Sequence, residues 1–243
     1  MSGTLDKFLN GRIKLIQPST GYRAGIDPLF LSASLHPKAD EKILDVGCGV
    51  GTASIALAFR CPYVRVTGIE IQSDLCELAL MNIQTNHLID RVEIIAGDIL
   101  SPPGLLKLNG FDQVMTNPPY HEDSRTQSSP FPGKAQANTE TVDLGKWIKF
   151  CLKALKPKGI FTMIHRTERL SEILAHLEGK AGEVVIYPLW PGEDKPARRI
   201  IIQARKNTGG ELRLARGIVL HGGVKKYTPE AEAVLRHAHG IVL

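Results

Sequence analysis

Asn117, Pro118, Pro119 and Tyr120 follow the apolar run FDQVMT and precede the polar run HEDSRTQSS. A residue before proline is pushed out of helical geometry, so Asn117 and Pro118 are both held extended. Proline lacks an N–H, and the carbonyls of such a stretch point outward with few local partners. A rigid bend results, with the Asn117 amide beside the Pro118 carbonyl and the Tyr120 ring just beyond. Two acceptors at fixed spacing suit a planar –NH2 group. Accepting both of its hydrogens orients the nitrogen and favours pyramidalisation, so that its lone pair can aim at an electrophile. No strong base is needed, because the proton is lost from an already cationic product; the gain is positioning and electrostatics. The Tyr120 ring offers a stacking face. Standing alone, Asn-Pro-Pro reads first as an ordinary turn; its place after a strand whose neighbours carry the acids and glycines below favours the amine clamp.

A second constellation lies upstream, in LDVGCGVGTA. Gly47, Gly49 and Gly51 recur at every second residue, which allows a tight turn and the approach of a ligand without a Cβ in the way. Asp45 stands just before them. Glu70, roughly 20 residues on, can accept hydrogen bonds from two ribose hydroxyls. Asp98, in AGDIL, can accept from an adenine amino group. Ile71 and Ile99, next in the chain, count with this set. Singly, Asp45 also reads as a helix cap, and Glu70 or Asp98 as solvated loop acids. Three acids at the same end of three successive strands favour a nucleoside ligand. The dinucleotide pattern G-x-G-x-x-G is absent, since the third glycine comes one residue early.

The elements that must position these residues alternate along the chain. Strands are predicted at 42–46, 64–70, 91–97, 111–116, 159–165, 183–190 and 197–205, and helices at 52–60, 73–87, 141–155 and 168–179. Ser73 reads as an N-cap. Upstream, RIKLIQP is a strand candidate, and DPLFLSASLHP a helix that starts at Asp27–Pro28 and stops at Pro37. Strands alternating with helices of this length imply βαβ units and a parallel sheet covered on both faces. The connection PGEDKP is too short for a crossover helix, so the last two strands should be antiparallel. Residues 121–140 read as a long loop, and TPEAEAVLRHAH as a final helix.

The glycine spacing, the acidic strand ends and the antiparallel last strand resemble the class I S-adenosylmethionine-dependent methyltransferases over residues 25–205. The fold implied is α/β and Rossmann-like, a seven-stranded mostly parallel sheet with the last strand antiparallel and helices on both faces. NPPY is similar to the signature of methyltransferases acting on exocyclic or amide nitrogens. By that resemblance Asn117 and Pro118 hold the target amine, Tyr120 stacks on it, and Asn117 also borders the donor. GYRAGIDPLFLSASL, FDQVMTNPPYHED, FTMIHRTERL and KKYTPEAEAVLR together resemble the bacterial tRNA adenine-N6 methyltransferase family, whose founding activity modifies an adenine beside the anticodon of a valine tRNA. This implies S-adenosylmethionine as cofactor, S-adenosylhomocysteine as product and no metal. It also implies an upstream segment packed over the donor, with Arg23 and Asp27 near the methionine end; Asp27 reads equally well as a simple N-cap. The divisions expected are 1–40 as that segment, 41–206 as the methyltransferase domain and 207–243 as its basic extension. Loop 121–140 would close over a flipped base as a lid.

Composition bounds the partners. The formal net charge is +5, and residues 195–243 hold ten Lys and Arg against three Glu. A cationic end suits a polyanion, and a compact chain without a target-recognition domain suits structured RNA, most of all tRNA, better than duplex DNA. No apolar run approaches bilayer length and no secretory signal is evident, so the cytoplasm is expected. The four cysteines fit neither a C-x-x-C metal spacing nor a disulfide framework. His121 and His165 read as a loop histidine and a fold-forming one, without metal-ligand spacing. The alternatives are methylation of the guanine N2 amine in ribosomal RNA, methylation of a protein glutamine, or a non-catalytic cofactor- or RNA-binding scaffold.

Overall fold

The computed structural model describes residues 3–20, 23–119, 143–222 and 226–243. Strands β1 (Gly3–Phe8) and β2 (Ile13–Pro18) form an antiparallel hairpin. Helix α1 (Asp27–Ala33) follows, then β3 (Lys42–Val46), α2 (Thr52–Arg60), β4 (Arg65–Glu70), α3 (Ser73–Thr85), β5 (Val92–Ala96) and β6 (Phe111–Thr116). Beyond these come α4 (Leu144–Ala154), β7 (Leu155–Arg166), α5 (Leu170–Leu177), β8 (Ala181–Trp190) and β9 (Arg199–Lys206). Two-residue strands β10 (Arg213–Leu214) and β11 (Ile218–Val219) precede α6 (Pro229–His237).

The main sheet runs β10-β8-β9-β7-β6-β3-β4-β5, with β11 also paired to β8. Strand β9 is antiparallel to both β7 and β8, as the short connection before it requires. The remaining pairings are parallel. The seven expected strands are present, and among the described residues β10 and β11 extend the sheet to nine. Two-residue strands carry too little apolar alternation to be read from sequence.

From β3 the chain builds outward through β4 to β5, then returns to lay β6 on the other side of β3. That reversal opens a crevice at the carboxyl ends of β3 and β6, the place where open α/β sheets bind ligands. Alternation along each strand feeds two cores. Ile43, Met115, Ile164 and Ile201 face one with α1, α2 and α6. Leu44, Val114, Met163 and Ile200 face the other with α4 and α5.

Some local expectations move. Helix α1 ends at Ala33, before Pro37, and Asp27 begins it without a side-chain cap bond. Ser73 lies inside α3, whose N-cap is Gln72. Strand β7 starts at Leu155, earlier than its apolar run, because Leu155 pairs with Phe111 across a register shift.

Candidate active site

The loop from β3 to α2 is shaped by backbone bonds. Gly47 N and Cys48 N both donate to Ile69 O, at 2.9 and 3.1 Å, which pins the loop to β4. Gly47 has φ +70°, and a Cβ there would lie 2.8 Å from the Trp147 ring, so only glycine fits. Gly49 has φ +55° with nothing within 4 Å of where a Cβ would stand. That open space is the cradle a ligand can enter.

Glu70 ends β4 and is buried. Its carboxylate turns into the loop, accepting from Gly49 N at 2.9 Å, Ile71 N at 2.9 Å and Gln72 N at 3.0 Å. Asp45 is 2 % exposed and accepts from Ser54 Oγ at 2.7 Å. Burial pushes its carboxyl up to about 7, opposed by the Ser54 bonds and reinforced by the charge of Glu70. Asp98 is half-buried and accepts from Leu100 N at 2.8 Å, within a tight turn. Ile99 is buried, whereas Ile71 is exposed.

Across the crevice, Asn117 shares its lining with Asp45, the loop Gly47–Gly49, and Ala24 and Pro28 on the opposite wall. Pro118 is buried and Pro119 exposed. Tyr120, His121 and loop 121–140 lie outside the described residues. Arg23 donates to Thr4 Oγ1 and Pro18 O and pairs with Asp6 at 2.5 Å, so its guanidinium is engaged by the hairpin. Asp27 pairs with Arg199 at 3.0 Å. The structure thus brings together Asp45, Gly47, Gly49 and Asn117, with Glu70 behind the loop.

Two supporting residues escaped the sequence reading. Trp147 Nε1 donates to Thr116 Oγ1, and Thr116 Oγ1 donates to Val46 O, each at 2.8 Å. This buried relay joins α4 to the last residues of β3 and β6, immediately before the two functional corners. Only the chain position of Thr116, directly before NPPY, could have hinted at it.

His165 is buried at the end of β7, and its Nδ1 accepts from Arg166 N at 2.8 Å. Burial, then Arg169, Arg166 and Arg199, lowers its pKa to about 4, so the ring is neutral. Strand polarity divides the cations of the C-terminal stretch. Arg199 pairs across the sheet with Arg166 and Leu189, at the crevice end. Arg205 and Lys206 lie at the other end of β9, bonded to Glu183, Lys158 O, Asn109 and Leu155 O.

The strand order, the antiparallel β9 and the glycine loop facing Asn117 define a class I methyltransferase fold. Residues 26–184 match the family model of the methyltransferase small domain, and the chain belongs to that family. Among its relatives is the tRNA1(Val) (adenine(37)-N6)-methyltransferase of Porphyromonas gingivalis, 32% identical over 69% of this chain and 68% of that one. The rRNA N(6)-adenosine-methyltransferase metl-5 of Caenorhabditis elegans is 24% identical over 72% of this chain and 74% of its own. A predicted O-methyltransferase from Agrobacterium tumefaciens shares the fold, with TM-score 0.72 and 21% identity over 89% of this chain and 99% of that one.

Proposed function

We propose that this methyltransferase moves a methyl group from S-adenosylmethionine to the exocyclic N6 amine of an adenine in structured RNA, tRNA foremost. The observation that carries the reading is the juxtaposition, at the point where the strand order reverses, of an open glycine loop and Asn117. The residues fit the donor. Gly49 leaves the space, Gly47 and Gly51 hold the loop's turn, and Asp45 lines the crevice with them; Glu70, Ile71, Asp98 and Ile99 are assigned to the donor from their places at and just after the ends of the neighbouring strands. Arg23 and Asp27 are assigned to the methionine end because their chain neighbours Ala24 and Pro28 line the crevice. Bound there, S-adenosylmethionine supplies an electrophilic methyl group on a sulfonium centre.

The remaining work is done by the chain. Asn117 Oδ1 and the Pro118 carbonyl accept the two hydrogens of the target amine and turn its lone pair toward the donor site. Tyr120 stacks on the base. The crevice encloses the reacting groups, with Asp45 as its floor. Adenine is favoured because the Porphyromonas and Caenorhabditis relatives are both named as adenine-N6 or N6-adenosine enzymes. RNA would approach the crevice end of the sheet, where Lys195 and Arg198 are exposed. No described helix is long and apolar enough to cross a membrane, in keeping with action in the cytoplasm.

The test is transfer of a labelled methyl group to unmodified bulk tRNA, bulk ribosomal RNA and a protein extract side by side, followed by nucleoside analysis. Label in N6-methyladenosine from tRNA supports the reading. Label in methylguanosine or protein overturns the choice of amine, and no label despite tight donor binding moves the chain to a non-catalytic scaffold.

A further inference from the structure

The outer edge of β2 is completed by the side chains of Asn82 in α3 and of Asn86, the residue that caps the C-terminus of α3. Lys14 N donates to Asn86 Oδ1 at 3.0 Å, and Asn86 Nδ2 donates to Lys14 O at 2.7 Å. Ile16 N donates to Asn82 Oδ1 at 2.6 Å, and Asn82 Nδ2 donates to Ile16 O at 3.0 Å. The match follows from two repeats. Four residues of helix rise about 6 Å, and two residues of strand rise about 6.7 Å. Asparagines at i and i+4 therefore stand in register with alternate peptides of a strand, in the place of a neighbouring strand. The hairpin needs such help, since an isolated two-stranded hairpin is marginal in water.

Asn82 does more than Asn86. It is fully buried, and its Nδ2 makes a second bond, to Val50 O at 3.0 Å. Val50 lies between Gly49 and Gly51 and lines the crevice. The glycine loop is thus gripped on peptides two residues apart, by Glu70 on Gly49 N and by Asn82 on Val50 O. The same hairpin holds the opposite wall. Gln17 Oε1 accepts from Ala24 N at 2.7 Å, and Asp6 pairs with Arg23.

We infer that Asn82 is a positioning residue for the donor site. It sets the curvature of Gly47–Gly51 through the Val50 carbonyl, and couples that curvature to the hairpin that braces the other wall. The inference rests on the reading of this loop as the S-adenosylmethionine cradle. An apolar residue at 82 would leave the Ile16 N–H and the Ile16 and Val50 carbonyls without their partner, a loss a buried site feels strongly.

The experiment is titration calorimetry with S-adenosylhomocysteine on the full chain, beside donor KM and kcat, for Asn82→Ala, Asn82→Ser and Asn86→Ala. Asn86→Ala removes the Lys14 contacts and the 2.7 Å bond from Asn86 Nδ2 to Asn82 O but touches no residue of the glycine loop, and serves as the structural control. The result expected is a tenfold or greater loss of S-adenosylhomocysteine affinity and a matching rise in donor KM for the Asn82 variants, with kcat changed less than threefold. Asn86→Ala should lower the melting temperature and leave affinity within twofold. Should the Asn82 variants fail to fold, hydrogen exchange on the native chain decides. S-adenosylhomocysteine should slow exchange at the Ile16 amide, which donates to Asn82. Equal affinities in Asn82→Ala and the native chain, or ligand-independent exchange at Ile16, would overturn the inference. No binding of S-adenosylhomocysteine by the native chain would instead overturn the donor-site reading beneath it.

Discussion

Asn117 lines the crevice with its backbone shaped by the following prolines, and although it borders the donor its main proposed task is to hold the acceptor amine. Asn117→Ala is expected to leave S-adenosylhomocysteine binding within a few-fold of native while turnover falls by about two to three orders of magnitude, the scale of one lost preorganised contact. Calorimetry and single-turnover methyl transfer would separate the two quantities. Loss of both together would mean that Asn117 serves the donor. Asp45 makes a claim about pH. Its folded pKa of about 7 lies above the ordinary 3.8, so the folded chain binds more protons than the unfolded chain between those values, and stability falls as pH rises through that window. Asp45→Asn should remove this fall, gaining melting temperature on the native chain from pH 5 to pH 8. His165 works in the opposite sense. Its folded pKa of about 4 lies below 6.5, so acid takes stability away between those values, and His165→Asn should flatten that limb of the melting curve.

At the scale of elements, what matters is how helices fix the strand ends. Helix α4 reaches the crevice through Trp147, whose indole bonds Thr116 and whose ring forbids a side chain at Gly47. Trp147→Phe removes the donor together with the outer ring carbons beside Gly47, leaving a buried hydroxyl with one partner fewer. A stability loss of about 1–3 kcal/mol is expected in urea unfolding, with lower turnover because the residue before Asn117 loosens. Unchanged activity at reduced stability would confine the relay to folding. Helix α3 shows why part of the site was hidden. Its last turn and the residues just after it, NIQTNHL, read as amphipathic helix, and nothing local says that Asn82 and Asn86 meet a strand some 66 to 72 residues earlier.

For the whole molecule, sheet polarity decides which charges share a face. The ten cations of residues 195–243 looked like one basic end, yet the antiparallel β9 carries Arg199 to the crevice and Arg205 and Lys206 to the opposite edge. RNA binding should follow that division. Charge reversal at Lys195 and Arg198 together is expected to weaken tRNA affinity about tenfold or more at low salt and to reduce the salt slope by about 2, because each phosphate contact contributes about one unit. Reversal at Lys158 and Lys180, exposed at the far ends of β7 and β8, should leave affinity within twofold. Filter binding across a salt series reads both, and equal losses would mean that the RNA is held by net charge alone.

By itself the sequence determined the alternation of strands and helices, the antiparallel turn before β9, the glycine loop and the place of Asn-Pro-Pro directly after β6. Each of these is written in local chemistry: side-chain period, connection length, a missing Cβ, a missing N–H. The tertiary structure alone decided that β1 pairs with β2, that short β10 and β11 lengthen the sheet, and that Glu70 turns its carboxylate onto Gly49. It alone built the Trp147–Thr116 relay and set Asn82 between hairpin and loop. Those features are hydrogen bonds between groups far apart in the chain, and a buried polar group takes whichever partner the fold brings within 3 Å, which no local pattern encodes.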